Sequence, residues 1–282
     1  MPRADGAGLY QSASGLLTTA ETGVQSKSND QMNPITQVNN GTGIGVEFLD
    51  YVATRARESG TRLPSIRDLS RELGISQAKL REQLEVARAL GIVDIRPKTG
   101  IRTKEFSYLP SIRLAVLLAL VQTPSRFEEI RSLRTQLETA FWDEAVAQLA
   151  PSDIDELERL VKRAWERLRG DPVQIPHAEH KALHLTVFSR LPNLLVRALL
   201  ETYWEAYEAV GLSLYADYDY LHEVWTFHDM MVQALRRGDP EAGKRALIEH
   251  TGLLRARSLP AGRSLEASLS PAKPGNWKGD LG

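Results

Sequence analysis

Residues 63–100, LPSIRDLSRELGISQAKLREQLEVARALGIVDIRPKTG, leave little choice of local fold. The run reads as helix, tight turn, helix, then a short hairpin. Ser65 follows Pro64 and is placed to cap the first orphan N–H groups of a helix, with Ile66, Leu69 and Leu73 recurring at helical spacing behind it. Gly74 ends that helix, because glycine takes the left-handed C′ conformation without steric strain. Ser76 then caps a second helix. Lys79 and Arg81 project from its first turns, and Leu80, Leu84 and Ala87 form its apolar stripe. Two short helices joined this tightly, the second opening on polar and basic residues, make a helix-turn-helix pattern. The second helix of such a motif enters the DNA major groove by its N-terminal end.

The continuation agrees with that reading. Gly91 stops the second helix, Ile92-Val93-Asp94-Ile95 alternates like a strand, and Lys98-Thr99-Gly100 turns it back through Ile101-Arg102-Thr103. The hairpin forms a wing that carries Arg96, Lys98, Arg102 and Lys104 towards phosphate. Leu63-Pro64-Ser65-x-Arg67-x-Leu69, Leu73-Gly74-Ile75-Ser76, Leu80-Arg81-Glu82-x-Leu84 and Leu90-Gly91-Ile92-Val93 together resemble the winged-helix domain of the GntR family of bacterial transcription regulators. Two departures bear on base preference: Gln77 stands where the family usually has Arg, and Gly100-Ile101 where its wing tip reads Gly-Thr. The expected DNA-binding set is Ser65, Arg67, Ser76, Gln77, Lys79, Arg81, Arg96, Lys98, Thr99 and Gly100. Gln77, Lys79 and Arg81 are expected at base edges, with Arg67 and the wing residues on phosphates.

With 282 residues there is room for two domains. The absence of cysteine excludes a disulfide framework and any thiolate ligand or nucleophile. No apolar run reaches the roughly 18 residues of a membrane span, and the N-terminus lacks the apolar core of a signal peptide, so cytoplasm is the expected location. The net charge of −1 conceals an asymmetry: residues 44–105 carry a balance of +3 and residues 106–282 a balance of −3. The basic excess falls where nucleic acid is expected.

Residues 1–43, rich in Ser, Thr, Gly, Asn and Gln, are expected to be a disordered tail, with Met1 and Met32 both candidate starts. A first helix runs from Val46 to about Ser59, turning Phe48, Leu49, Val52 and Ala56 inward. The winged helix spans 44–105 and a linker 106–110. From 111 to 258 the pattern is helical throughout, with candidate helices at 111–121, 125–149, 152–169, 177–190, 192–213, 218–237 and 240–257 and caps at Ser152 and Asp239. Residues 259–282 read as a flexible tail. The fold class is therefore mainly α: a winged helix-turn-helix followed by an antiparallel bundle of six or seven helices.

Three of six histidines share one of these helices, in His177-Ala-Glu-His180-Lys-Ala-Leu-His184, at spacings that place all three on one face. A solvated polar face and a metal site both fit that pattern. The helical region also resembles the FCD ligand-binding domain found in the FadR branch of the GntR family. The resemblance rests on Arg134-Thr-Gln-Leu137-Glu138, on His184 with Asn193 nine residues on, on His228 ten residues before Gly238-Asp239, and on His250 eleven residues after Asp239. It implies a metal site of His180, His184, His228 and His250, with His180 standing where the family has aspartate and Leu183 where it has Phe. Four neutral imidazoles suit a borderline-soft ion, zinc first and nickel next, over magnesium, manganese or calcium.

The resemblance further implies a small organic-acid effector. Arg134 is the expected carboxylate clamp, with a salt bridge to Glu138 as its alternative role, and Asn193 is a second effector residue. His177 is a weaker candidate ligand, and His222 is read as structural or surface. Trp142, Trp204, Tyr203, Tyr207, Tyr215 and Trp225 are read as core and pocket walls. The function implied is a homodimeric, non-enzymatic regulator that binds a double-stranded DNA operator and does not involve a membrane. The alternative is a metal-dependent hydrolase using the histidines. The residue after His180 is Lys181, not the Glu that a zinc-protease HExxH helix requires, which weighs against that alternative.

Overall fold

The computed structural model describes residues 43–55, 59–96, 100–212 and 217–255. The expected tails other than Gly43, together with Ala56, Lys98, Thr99 and Tyr215, lie outside them. The N-terminal part builds from α1 (Glu47–Arg55), α2 (Ile66–Leu73), α3 (Gln77–Ala89), β1 (Val93–Arg96) and β2 (Gly100–Thr103). Both serine caps form: Ser65 Oγ accepts from Asp68 N at 3.2 Å, and Ser76 Oγ accepts from Lys79 N at 3.1 Å. Gly74 adopts the left-handed conformation, with φ 67°, that reverses the chain between α2 and α3. The turn is locked by Ser70 Oγ, which donates to Ile75 O at 2.6 Å. The apolar stripes close on one core of Phe48, Leu49, Val52, Leu69, Leu80, Leu84 and Ala87, extended by Val93 and Ile101 from the wing.

β1 and β2 pair antiparallel with Val93 opposite Thr103 and Ile95 opposite Ile101. Residues 60–63 also bond to β2, through Leu63 N to Ile101 O at 2.9 Å and Thr103 N to Thr61 O at 3.0 Å. That third segment carries no strand pattern of its own, so the sequence did not announce it.

The C-terminal part is a helical bundle: α4 (Leu109–Gln122), α5 (Phe127–Ala140), α6 (Trp142–Ala147), α7 (Pro151–Leu168), α8 (His177–Val187), α9 (Leu194–Ala209), α10 (Tyr218–Arg236) and α11 (Pro240–Arg255). The helix expected over 125–149 is instead two. A 3₁₀ turn occupies Pro124–Arg126, and the chain leaves helical geometry at Phe141. The bundle thus has eight helices among the described residues, not six or seven. Asp239 caps α11 as expected, accepting from Ala242 N at 2.9 Å. Ser152 does not cap α7; Pro151 is the first helical residue and the Asp153 carboxylate receives Ala150 N at 2.7 Å. Among the described residues no helix is long and apolar enough to cross a membrane.

Two apolar clusters fill the bundle. One gathers Trp142, Leu157, Leu160, Leu183, Trp225, Met231 and Leu247; the other gathers Leu120, Phe127, Tyr203, Trp204 and Tyr207. α11 lies close against α6, where Trp142 Nε1 donates to Pro240 O at 2.9 Å. At Gly243 an added Cβ would stand 2.8 Å from the Trp142 ring. Two opposing effects decide the outcome of Gly243→Ala. Alanine favours the helix by about 1 kcal/mol, while overpacking a fully buried tryptophan costs about 1–3 kcal/mol. We expect a net loss of stability in urea denaturation; a gain would show that Trp142 yields freely.

Candidate metal centre and recognition helix

α8 places His180 and His184 one turn apart on its inward face, and its other face is held by buried Glu179, which pairs with Arg167 of α7 at 2.8 Å. α10 contributes His228 and α11 contributes His250, both fully enclosed. Their rings meet at the seam of the two apolar clusters, where His180 lies edge-on to Trp204 with centroids 4.7 Å apart and within 6.1 Å of Trp225. The Nε2 atoms converge: His184 to His228 at 3.1 Å, His184 to His250 at 3.3 Å and His180 to His250 at 3.4 Å. One nitrogen from each of the four lies within 4.8 Å of all the others. Ligands at about 2.0–2.1 Å around a tetrahedral ion are separated by about 3.3 Å. The donor set therefore fits a transition-metal ion in both spacing and chemistry.

Glu138 supplies the orienting group. Its Oε1 lies 3.0 Å from His184 Nδ1, so the Nδ1–H donates to the carboxylate and Nε2 keeps its lone pair. Arg134, one turn earlier on α5, sits 3.0 Å from Glu138 through Nε and donates from Nη1 to Tyr203 OH at 3.1 Å. Its Nη2 lies 2.9 Å from His184 Nε2, against the face of the ring. That contact leaves the in-plane lone pair of Nε2 directed at the other imidazoles. Glu138 was legible as the residue four after Arg134 on one helix face, yet its contact with His184 needed the fold.

Electrostatics follow from burial. Desolvation, then the neighbouring imidazoles and Arg134, hold His180 and His228 well below the ordinary value of about 6.5, and desolvation does the same for His250. His184 is lowered less, because Glu138 opposes its desolvation. Burial alone would raise Glu138, but Arg134 and His184 overcome it and keep the carboxylate ionised. The site is thus one of neutral donors beside a compensated ion pair. The Nδ1 atoms of His228 and His250 have no hydrogen-bond partner among the described residues.

Two expected residues are not part of this cluster. His177 pairs through Nε2 with Glu208 at 3.0 Å and stacks on Tyr207. Asn193, expected at the effector, is exposed and caps α9, its side chain accepting from Val196 N at 3.1 Å. His222 packs its edge on Trp165 at the surface, as expected.

On α3 the exposed opening turns present Gln77 and Arg81, which touch each other at 3.4 Å. Lys79, expected alongside them at base edges, is ion-paired with Glu47 of α1. Arg67 is exposed, Arg96 pairs with Asp94 at 2.6 Å, and Gly100 has a φ of 80° at the start of β2. Arg102 reaches back to Gly60 O at 2.8 Å, so it braces the wing.

The FCD domain family matches residues 129–253, which contain the four clustered histidines with Arg134 and Glu138. The Uxu operon regulator of Haemophilus influenzae is 24% identical over 218 residues, covering 74% of this chain and 78% of that protein. The HTH-type transcriptional regulator LutR of Bacillus subtilis is 21% identical over 199 residues, covering 68% and 88%. A solved GntR structure from Streptococcus agalactiae superposes with a TM-score of 0.54 at 19% identity, covering 75% of this chain and 96% of its own. Residues 129–253 belong to the FCD domain family, and over most of its length the chain is similar to named transcription regulators. Its FCD domain is the part that carries the histidine cluster.

Two outcomes follow for this FCD-containing chain. Glu138→Gln leaves Arg134 buried without its counter-charge, costing about 3 kcal/mol. It also removes the group that orients His184, and metal affinity is expected to fall about 10- to 100-fold in chelator competition; unchanged affinity would show that His184 needs no such partner. The second outcome concerns pH. The folded chain keeps His180, His228 and His250 neutral, whereas the unfolded chain protonates them near pH 6.5. Metal-free protein should therefore be stable above about pH 6.5 and lose about 1.4 kcal/mol per pH unit per histidine as pH falls from there towards the depressed values. Melting curves of chelator-treated protein from about pH 5 to 8 check this.

Proposed function

We propose that this protein is a homodimeric, operator-binding transcription regulator whose DNA affinity is set by a small organic-acid effector at a metal held by His180, His184, His228 and His250. The observation that carries this reading is the convergence of imidazole nitrogens from three helices, with neighbouring Nε2 atoms 3.1–3.4 Å apart and Glu138 orienting one of them. Such an ion supplies a Lewis-acidic anchor for a carboxylate. The nitrogen set favours zinc, with nickel next in order. Arg134 has one prong on Glu138 and one on Tyr203. Nη2, which lies over the ring face of His184, is the prong assigned to the effector's anionic group.

At the DNA end, Gln77 and Arg81 are assigned to base edges, and Arg67, Arg96 and the Lys98-Thr99-Gly100 tip to phosphates, with Ser65 and Ser76 presenting the helix N-termini. The second protomer is assigned to α4. That helix is apolar nearly all round and leaves Leu114, Leu118 and Val121 about half exposed on one side, a face that calls for cover. The similar curated proteins are named as regulators, which favours this reading. A hydrolase finds less support. Lys181 after His180 pairs with Glu208, and the carboxylate beside the cluster is bound up with Arg134.

The test combines metal analysis with DNA binding. Purified protein is expected to be dimeric in sedimentation, to hold one zinc per protomer, and to bind duplex selected from the genome of its source. His228→Ala and His250→Ala are each expected to lose the metal and the response of DNA binding to carboxylic acids. Full metal occupancy in both variants would overturn the site.

A further inference from the structure

The ion pair on the recognition helix is held in place from behind. Glu47 is the first residue of α1, where the helix N-terminus favours a carboxylate. One oxygen pairs with Lys79 Nζ; the other receives the Gln83 side-chain amide, one turn further along α3. Gln83 is itself buried, and its Oε1 accepts from Phe48 N at 2.9 Å. The carboxylate is thus gripped by α1 and by a core glutamine while its outer side stays open, with Glu47 38% and Lys79 50% exposed. Lys79, its own helix start and its amide-donating neighbour Gln83 all lower Glu47 to about 2, so the carboxylate stays ionised through any working pH. Arg81, by contrast, has no carboxylate partner among the described residues and touches only Gln77.

We infer that Glu47 acts as a built-in counter-anion for Lys79, so that this lysine is withheld from DNA phosphate and the reading of sequence falls to Gln77 and Arg81. The inference rests on the DNA-binding reading above. It turns on which anion the ammonium faces. A lysine that neutralises a phosphate releases a condensed counterion, whereas one already neutralised by a fixed carboxylate releases none. Glu47 therefore lowers non-specific affinity while leaving the two uncommitted side chains to discriminate bases. That raises the ratio of specific to non-specific binding without adding a base contact.

The experiment measures binding of the full chain to a random-sequence duplex by fluorescence anisotropy across a salt series, for wild type, Glu47→Gln, Lys79→Ala and the double variant. Glutamine keeps the length of Glu47 and its bond to Gln83. Glu47→Gln is expected to tighten binding on the order of fivefold at about 0.1 M salt and to steepen the log–log salt slope by about 0.9. Lys79→Ala should leave the slope unchanged in wild type but remove that added slope in the Glu47→Gln background. Equal slope changes in both backgrounds would overturn the inference, since Lys79 would then already contact phosphate. A slope gain that survives in the double variant would also overturn it, as a general effect of charge removal. Should Glu47→Gln fail to fold, the Lys79→Ala slope in wild type decides alone, a loss of about 0.9 counting against the inference. If no variant and not the wild type binds any duplex, the DNA-binding reading falls and takes this one with it.

Discussion

A nitrogen lone pair in a dry interior needs something positive to face, and the bundle places several of them together. His180, His184, His228 and His250 point nitrogens at one another across about 3 Å in a space lined by Trp204 and Trp225. Protonation is the usual remedy, and burial denies it by holding these imidazoles neutral. Each neutral ring has one donor and one acceptor to place, and two of the Nδ1 atoms meet no partner among the described residues. A bundle whose only task was to pack would fill this seam with leucine, as it does elsewhere. The arrangement makes sense around a cation.

Everything near the seam follows from that demand. α8 carries two of the four donors because a spacing of four residues repeats one helix face. Glu179 and Arg167 fix the opposite side of that helix, so its inward side cannot roll away. α11 is seated on α6 by the close approach of Gly243 to Trp142, and His250 lies two turns further along the same rigid helix. Positions are thus set by apolar packing tens of residues away, while the chemistry needs only the last few atoms.

What the sequence could disclose divides along the same line. Local features were readable: the serine caps, the left-handed Gly74, the wing and most helix limits, because each depends on neighbours within a few residues. His180 and His184 could be paired by spacing alone, but His228 and His250 joined them only through the resemblance, since nothing local brings α10 and α11 to α8. The break at Phe141 was hidden because the segment on both sides keeps helical composition. Asn193 was singled out by its place in a motif, whereas the cap it makes on α9 is the short-range bonding that asparagine readily does. The Glu47–Lys79 pair spans 32 residues and joins two helices, so no periodicity could show it.

Arg134 and the histidines pose one last question, that of charge. The guanidinium lies over the face of His184, 2.9 Å from Nε2, and its charge is balanced by Glu138, so it leaves the in-plane lone pair free and the seam without net charge. A cation held there would bring its whole charge into an apolar interior, and a small anion beside it would restore the balance.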